Sequence, residues 1–186
     1  MEYVEAIRDV KKINAIKKNL KEQSPRDYLL FVLGINTGLK ISEILSLRIQ
    51  DIKDNEGIFK RFLALNPKEG AMPIYLNNKV RKAVAFYLSS RSPNGNEYLF
   101  KSSKSDEPIT RQQAYRIINK AARKIGIEGN IGLHSMRKTY GYHAYKKGVA
   151  ISLLRHLFGH HSPAETLKYL GITKEEVILT EIDVDL

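Results

Sequence analysis

Tyr3, Ile7, Val10, Ile13, Ile16 and Leu20 recur at three- and four-residue steps, so residues 3–20 are expected to form an amphipathic helix. It lies within a basic N-terminal segment, 1–22, whose polar face carries Lys11, Lys12, Lys17, Lys18 and Lys21. Ser24-Pro25 then supplies an N-cap followed by proline at the first helical position. The stretch 26–36 is apolar nearly all round, which predicts a central buried helix ending at Thr37-Gly38. A short helix is expected over 41–47. The pattern changes at 58–65 and 71–76, which read as two strands joined by the turn chemistry of Asn66-Pro67-Lys68-Glu69-Gly70.

Helices resume with Asn77 or Asn78 as cap, through about residue 90. Two loops follow, 91–96 and 101–108, around a short extended piece at Tyr98-Leu99-Phe100. Thr110-x-x-Gln113, Ser162-x-x-Glu165 and Thr173-x-x-Glu176 fit the capping box, in which side chain and backbone satisfy each other's free groups. Gly126, Gly148, Gly159 and Gly171 stand at expected helix ends. The expected fold is mainly α with one small β-hairpin, an α+β domain spanning 1–186 without repeat or linker. Residues 173–186 form its C-terminal helix and tail.

Composition narrows the function. No apolar run approaches the roughly 20 residues that cross a bilayer, and the N-terminus lacks a signal-peptide core. The absence of cysteine rules out disulfides and thiolate metal sites, and fits a reducing cytoplasm. A net charge of +11 favours a polyanionic partner, most simply DNA or RNA.

The candidate chemistry lies in the last third. All five histidines fall between His134 and His161, and no metal-binding spacing organises them. His134 and Arg137 are three apart, so on a helix starting near His134 they share a face and together suit two oxygens of one phosphate. His160 follows Gly159 at a tight corner, and Tyr169 ends the helix opened by Pro163. A tyrosine oxygen is a potential nucleophile, weak while protonated, with a reference pKa of about 10. His143 and His156 receive no role, and His161 is left open by its adjacency to His160. On the helix 111–124, Arg116, Lys120 and Arg123 share a face; with Arg111 they are the candidate DNA contacts.

Leu-His-x-x-Arg (133–137), then Phe158-Gly159-His160, then Tyr169 nine residues beyond the histidine, resembles the tyrosine recombinase (phage integrase) family. So does Thr37-Gly38-Leu39-Lys40-Ile41-Ser42-Glu43-Ile44, and the run from Gly159-His160-His161-Ser162 to Tyr169. The resemblance spans roughly 25–180, a whole catalytic domain. It implies a site-specific recombinase or integrase whose tyrosine attacks a DNA phosphodiester, forms a 3′-phosphotyrosyl link and frees a 5′-hydroxyl without metal or cofactor. Tyr169 takes the nucleophile's place. His134, Arg137 and His160 match phosphate-binding positions, and Glu43 an acidic position that orders the site. Lys68 is the hairpin lysine expected to protonate the leaving oxygen, with Lys60 a weaker candidate.

Two departures stand out. Lys40 occupies the place of the family's first arginine, keeping the charge without the bidentate fork. Aligning Met72-Pro73 with the family's later strand puts Leu65 near the usual general-acid position. The N-terminal core-binding domain usual in the family is not expected here. The implied partner is double-stranded DNA, on which the chain would form a homotetramer while being monomeric alone; no membrane role is implied. A bacterial or phage origin and a cytoplasmic location follow from the same resemblance. The competing expectations are a DNA-binding protein of recombinase descent that cuts weakly, and a relaxing topoisomerase, against which the short length argues.

Overall fold

A computed structural model describes residues 4–54, 56–64 and 72–176. Nine helices and a two-stranded antiparallel sheet occur among them. The architecture is the expected mainly helical α+β fold.

The first helix, α1, is Val10–Gln23, so the expected start near residue 3 is corrected. Asp9 accepts from the Lys11 backbone N–H at 2.7 Å and caps the helix there. Residues 4–9 instead run extended against α7 (Leu133–Lys146), where they find hydrogen-bond partners that a helical turn would have hidden. Ile7 donates its N–H to Thr139 Oγ1 at 2.8 Å, and its carbonyl lies 3.0 Å from His143 Nε2. Lys138 Nζ donates to the Val4 carbonyl at 2.9 Å. Ile7 is buried by this contact and not by a helical face, which is why its spacing misleads.

Helix α2, Pro25–Thr37, is the buried centre: Leu29, Leu30, Phe31, Val32 and Leu33 are essentially inaccessible. Ser24 caps it, and Gly38, at φ 68°, ends it. The short helix α3 is Ile41–Ser46, and a one-turn helix, α4, Ile49–Ile52, follows without having been expected. The strands are shorter than the pattern implies: β1 is Phe62–Leu63 and β2 is Ile74–Tyr75, in the register Phe62↔Tyr75 and Leu63↔Ile74. Buried Leu63 and Leu76 pin this hairpin to the core. The turn carrying Lys68 lies outside the described residues.

Asn77 caps α5, Asn78–Leu88, and its Nδ2 donates to Asn36 Oδ1 at 2.9 Å. That bond ties the hairpin's exit to the end of α2. Thr110 and Gln113 form the expected capping box on α6, Arg111–Lys124. Helices α8, Ile151–Phe158, and α9, Pro163–Leu170, complete the site-bearing end. The expected box at Ser162 is modified: Ser162 caps Glu165 N, but Glu165 reaches back to the His161 N–H. The C-terminal helix is a single 3-10 turn, Lys174–Glu176; the tail beyond lies outside the described residues.

Two apolar clusters form. The larger unites α1 to α6 with Leu133 and Met136 of α7. The smaller joins Tyr142 and Tyr145 of α7 to Leu154, Phe158, Leu170 and Ile172. Helix α7 is the wall between them. Gly141 permits its close approach to α9, because a Cβ there would stand 2.5 Å from Leu170 Cδ2 and 2.7 Å from the Phe158 ring. No described helix is long and apolar enough to cross a membrane.

Candidate active site

Tyr169 occupies the penultimate position of α9, immediately before the C-terminal pair Leu170-Gly171. Its half-buried ring packs edge-on to His160, with centroids 5.0 Å apart, and against Phe158 at 5.5 Å. Lys138 Nζ lies 5.0 Å from the ring centroid. Burial pushes the phenol above its ordinary pKa, and the nearby Arg137 guanidinium pulls it back. In the protein alone the Tyr169 side chain is therefore a protonated phenol.

Arg137, on the inner face of α7, donates to the Leu157 carbonyl at 3.2 Å and stacks 4.9 Å from the Phe158 ring. Its Nε is buried without a hydrogen-bond partner. A cation held this way by α8 has donors to spare for an anion. Burial lowers its proton affinity, while Tyr169 and Glu43 act in the opposite sense. Glu43 accepts from the Lys40 backbone N–H at 2.6 Å. It thus caps α3 and contributes a negative charge felt by Arg137.

Gly38 links the two halves. A Cβ there would lie 2.6 Å from the Tyr140 ring and 3.3 Å from Leu157, the residue whose carbonyl holds Arg137. Glycine's freedom at positive φ allows the α2–α3 turn to abut α7 and α8. Lys40, two residues on, is exposed at this edge. Lys60 is engaged elsewhere, donating from Nζ to the Gln50 carbonyl at 2.7 Å, which weakens it further as a proton donor.

His160 Nδ1 lies 3.1 Å from Thr166 Oγ1. That hydroxyl is within 3.2 Å of the Ser162 carbonyl, to which it donates. It therefore accepts from His160, which fixes the proton on Nδ1 and leaves Nε2 an acceptor. Burial, Arg137 and His161 hold the imidazole below its ordinary pKa, against Glu165, so it is neutral near pH 7. His134, exposed in the first turn of α7, is lowered too, by burial first and then by Arg111, Arg137 and Lys138. The two histidines are therefore neutral in the DNA-free site. The lasting cations beside Tyr169 are Arg137 and Lys138.

Lys138 was not anticipated from sequence. Its burial, at 7% exposure, is owed to the extended residues 4–9, far away in the chain. Arg8 was missed for the same reason: it donates to the Gly171 carbonyl at 2.5 Å and pairs with Glu176 at 3.1 Å, tethering the end of α9. Arg116, Lys120 and Arg123 lie exposed along the outer face of α6, opposite buried Ala114, Ile118, Ala121 and Ala122. Arg111 stands apart from them at the helix start, 3.2 Å from His134.

Comparison with known proteins agrees with this geometry. The phage integrase family model matches residues 7–176. The probable integrase/recombinase YoeC of Bacillus subtilis is 37% identical over 175 residues, covering 94% of this chain and 93% of that protein. A tyrosine recombinase of Pseudothermotoga lettingae is 30% identical over 154 residues, 83% of this chain and 52% of its own length. Among solved structures, that of XerA recombinase superposes with a TM-score of 0.75 at 20% identity, over 94% of this chain and 61% of that one. The chain thus spans nearly all of the Bacillus relative but half to three fifths of the other two. A match over almost the full described length, with the three sequence boxes meeting at one site, establishes that the chain belongs to the phage integrase family.

Proposed function

We propose that this protein is a site-specific DNA recombinase that cuts and rejoins strands through Tyr169. The observation that carries this is the convergence of Tyr169, His160 and Arg137 around Phe158 and the Leu157 carbonyl. Tyr169 gives its phenolic proton to the acceptor Nε2 of His160 and its Oη attacks the scissile phosphorus while the bond to the 5′-oxygen breaks, giving a 3′-phosphotyrosyl ester and a free 5′-hydroxyl. Lys68 supplies the proton to the leaving oxygen. Arg137 holds non-bridging oxygens, a contact of the kind worth about 3–4 kcal/mol in a transition state. His160, charged by that proton, and His134, once the phosphate draws a second proton onto it, join it as donors. Attack by a 5′-hydroxyl from another strand reverses the steps and completes exchange.

Double-stranded DNA is the partner that the net charge of +11 and the exposed Arg116, Lys120 and Arg123 suit. On DNA the chain works as a homotetramer, and without it as a monomer. Its site of action is the cytoplasm of a bacterial cell. The reading is tested by trapping: with nicked duplexes from DNA flanking the gene, an SDS-resistant protein–DNA adduct is expected. DNA retention without adduct would favour a binding protein instead.

Lys40 bears on the rate. With a single ammonium where a fork is usual, Lys40→Arg is expected to speed cleavage of a suicide substrate on the order of 10- to 1,000-fold, the worth of one good hydrogen bond to a charged group. An unchanged single-turnover rate would mean that Lys40 does not contact the scissile phosphate.

A further inference from the structure

The contact between Arg111 and His134 joins two helices that begin at the same place. Arg111 is the first residue of α6 and His134 the second of α7. Both backbones are fixed: Thr110 and Gln113 cap α6, and Ser135 Oγ accepts from the Gly132 N–H at 3.1 Å before α7. Gly132 also lets the helices close up, since a Cβ there would stand 3.3 Å from the Tyr115 ring of α6. The 3.2 Å approach of the Arg111 guanidinium to His134 Nε2 is therefore a built juxtaposition. Val4, Tyr115 and Leu133 line an apolar groove beside it.

Arginine has donors and no acceptor. A guanidinium N–H directed at Nε2 requires that nitrogen to be the acceptor, so the single proton of neutral His134 sits on Nδ1. Nε2 is then unable to donate to a phosphate while Arg111 holds it. We propose that Arg111 is a positioning residue of the active site: it holds His134 in the neutral, Nδ1-protonated form until a DNA phosphate arrives and takes over the guanidinium. The phosphate's negative charge then favours uptake of a proton from solvent by His134, whose Nε2 becomes a donor. The groups facing His134 are Arg111 from α6 and Arg137 and Lys138 from α7, with the Tyr115 phenol in the adjoining groove. All three charged neighbours are cations, so the DNA-free imidazole resists charging and the bound anion reverses that bias. This assigns Arg111 a role distinct from the exposed cations farther along α6. It rests on the reading of His134 as a phosphate ligand.

The test has two arms. In the first, the His134 ring signals of the DNA-free protein are titrated by NMR, with assignment from His134→Gln. Arg111→Ala is expected to raise the His134 pKa; Arg111→Lys, which keeps the charge, is expected to lie between it and wild type. Arg116→Ala should leave it unmoved. In the second arm, suicide-substrate cleavage is followed against pH at saturating protein. Arg111→Ala should move the histidine limb in the direction the NMR reads, beyond any loss of affinity. If Arg111→Ala weakens DNA binding while the titration and the saturated pH profile stay as in wild type, Arg111 is a DNA contact only and the proposal is overturned. Should no variant cleave, wild type included, the proposed reaction has failed, and the first arm still decides whether Arg111 governs His134.

Discussion

Phenylalanine in place of Tyr169 is expected to abolish the covalent adduct and all strand cleavage, with DNA affinity and folding preserved. The substitution removes one oxygen and keeps the ring that packs on Phe158 and His160 and lies under Lys138. The apolar contacts of α9 are therefore retained, and a thermal midpoint within a few degrees of wild type is anticipated. Chemistry has no comparable fallback. Water attacking the phosphodiester gives hydrolysis without an adduct, and the described site holds no second hydroxyl beside Arg137 placed as Tyr169 is. The phenol also sets the pH dependence. Since burial holds its pKa above the ordinary value, the phenolate fraction rises with pH, and the cleavage rate should rise with it until the loss of the protonated histidine donors sets the opposing limb. An SDS gel of nicked DNA with wild type and Tyr169→Phe reads the effect directly. An adduct surviving the substitution would place the nucleophile elsewhere.

Arg137→Ala carries the second largest expectation. The lost donor should slow single-turnover cleavage on the order of 100- to 1,000-fold at saturating protein. Stability falls as well, because the part-buried Leu157 carbonyl loses its 3.2 Å partner and Phe158 its stacked cation; the loss of such a bond costs about 1 kcal/mol. Arg137→Lys separates the two effects. Lysine keeps the charge but cannot bond Leu157 and a phosphate as one planar fork, so cleavage should remain far below wild type while stability recovers in part. Stopped-flow or quench measurements below the variants' melting range decide it. A saturated rate for Arg137→Ala equal to wild type would remove Arg137 from the phosphate.

Much of this was legible because it is local. The cap of α2 at Ser24, the box at Thr110, and the stops at Gly38, Gly159 and Gly171 are signals within a few residues, and the structure places each where the sequence puts it. What was not legible is long-range. Ile7 continues a helical spacing yet is buried by an extended segment, because Thr139 and His143 offer its backbone partners more than 130 residues away. The two strands read as eight and six residues, but among the described residues the ladder is Phe62–Leu63 with Ile74–Tyr75, extended by the bond from Leu76 N–H to the Arg61 carbonyl, where Leu63 and Leu76 tie it to the core. At the site, motif spacing found Arg137, His134, His160 and Tyr169. Lys138 and Arg8 escaped it, as their roles depend on the strand-like residues 4–9 crossing α7.

The division of the core into two clusters has a consequence for how the enzyme spends its stability. Helix α9, which carries Tyr169, rests on the smaller cluster, while α2 sits wholly in the larger. Local opening costs least where the fewest apolar side chains must be exposed. Amide hydrogen exchange should therefore find α8 and α9 opening at lower free energy than α2 and α5. On that expectation α9 opens without disturbing the larger cluster. Under the proposed reaction, a scaffold of this kind would let the chain keep its DNA contacts while Tyr169 is withdrawn.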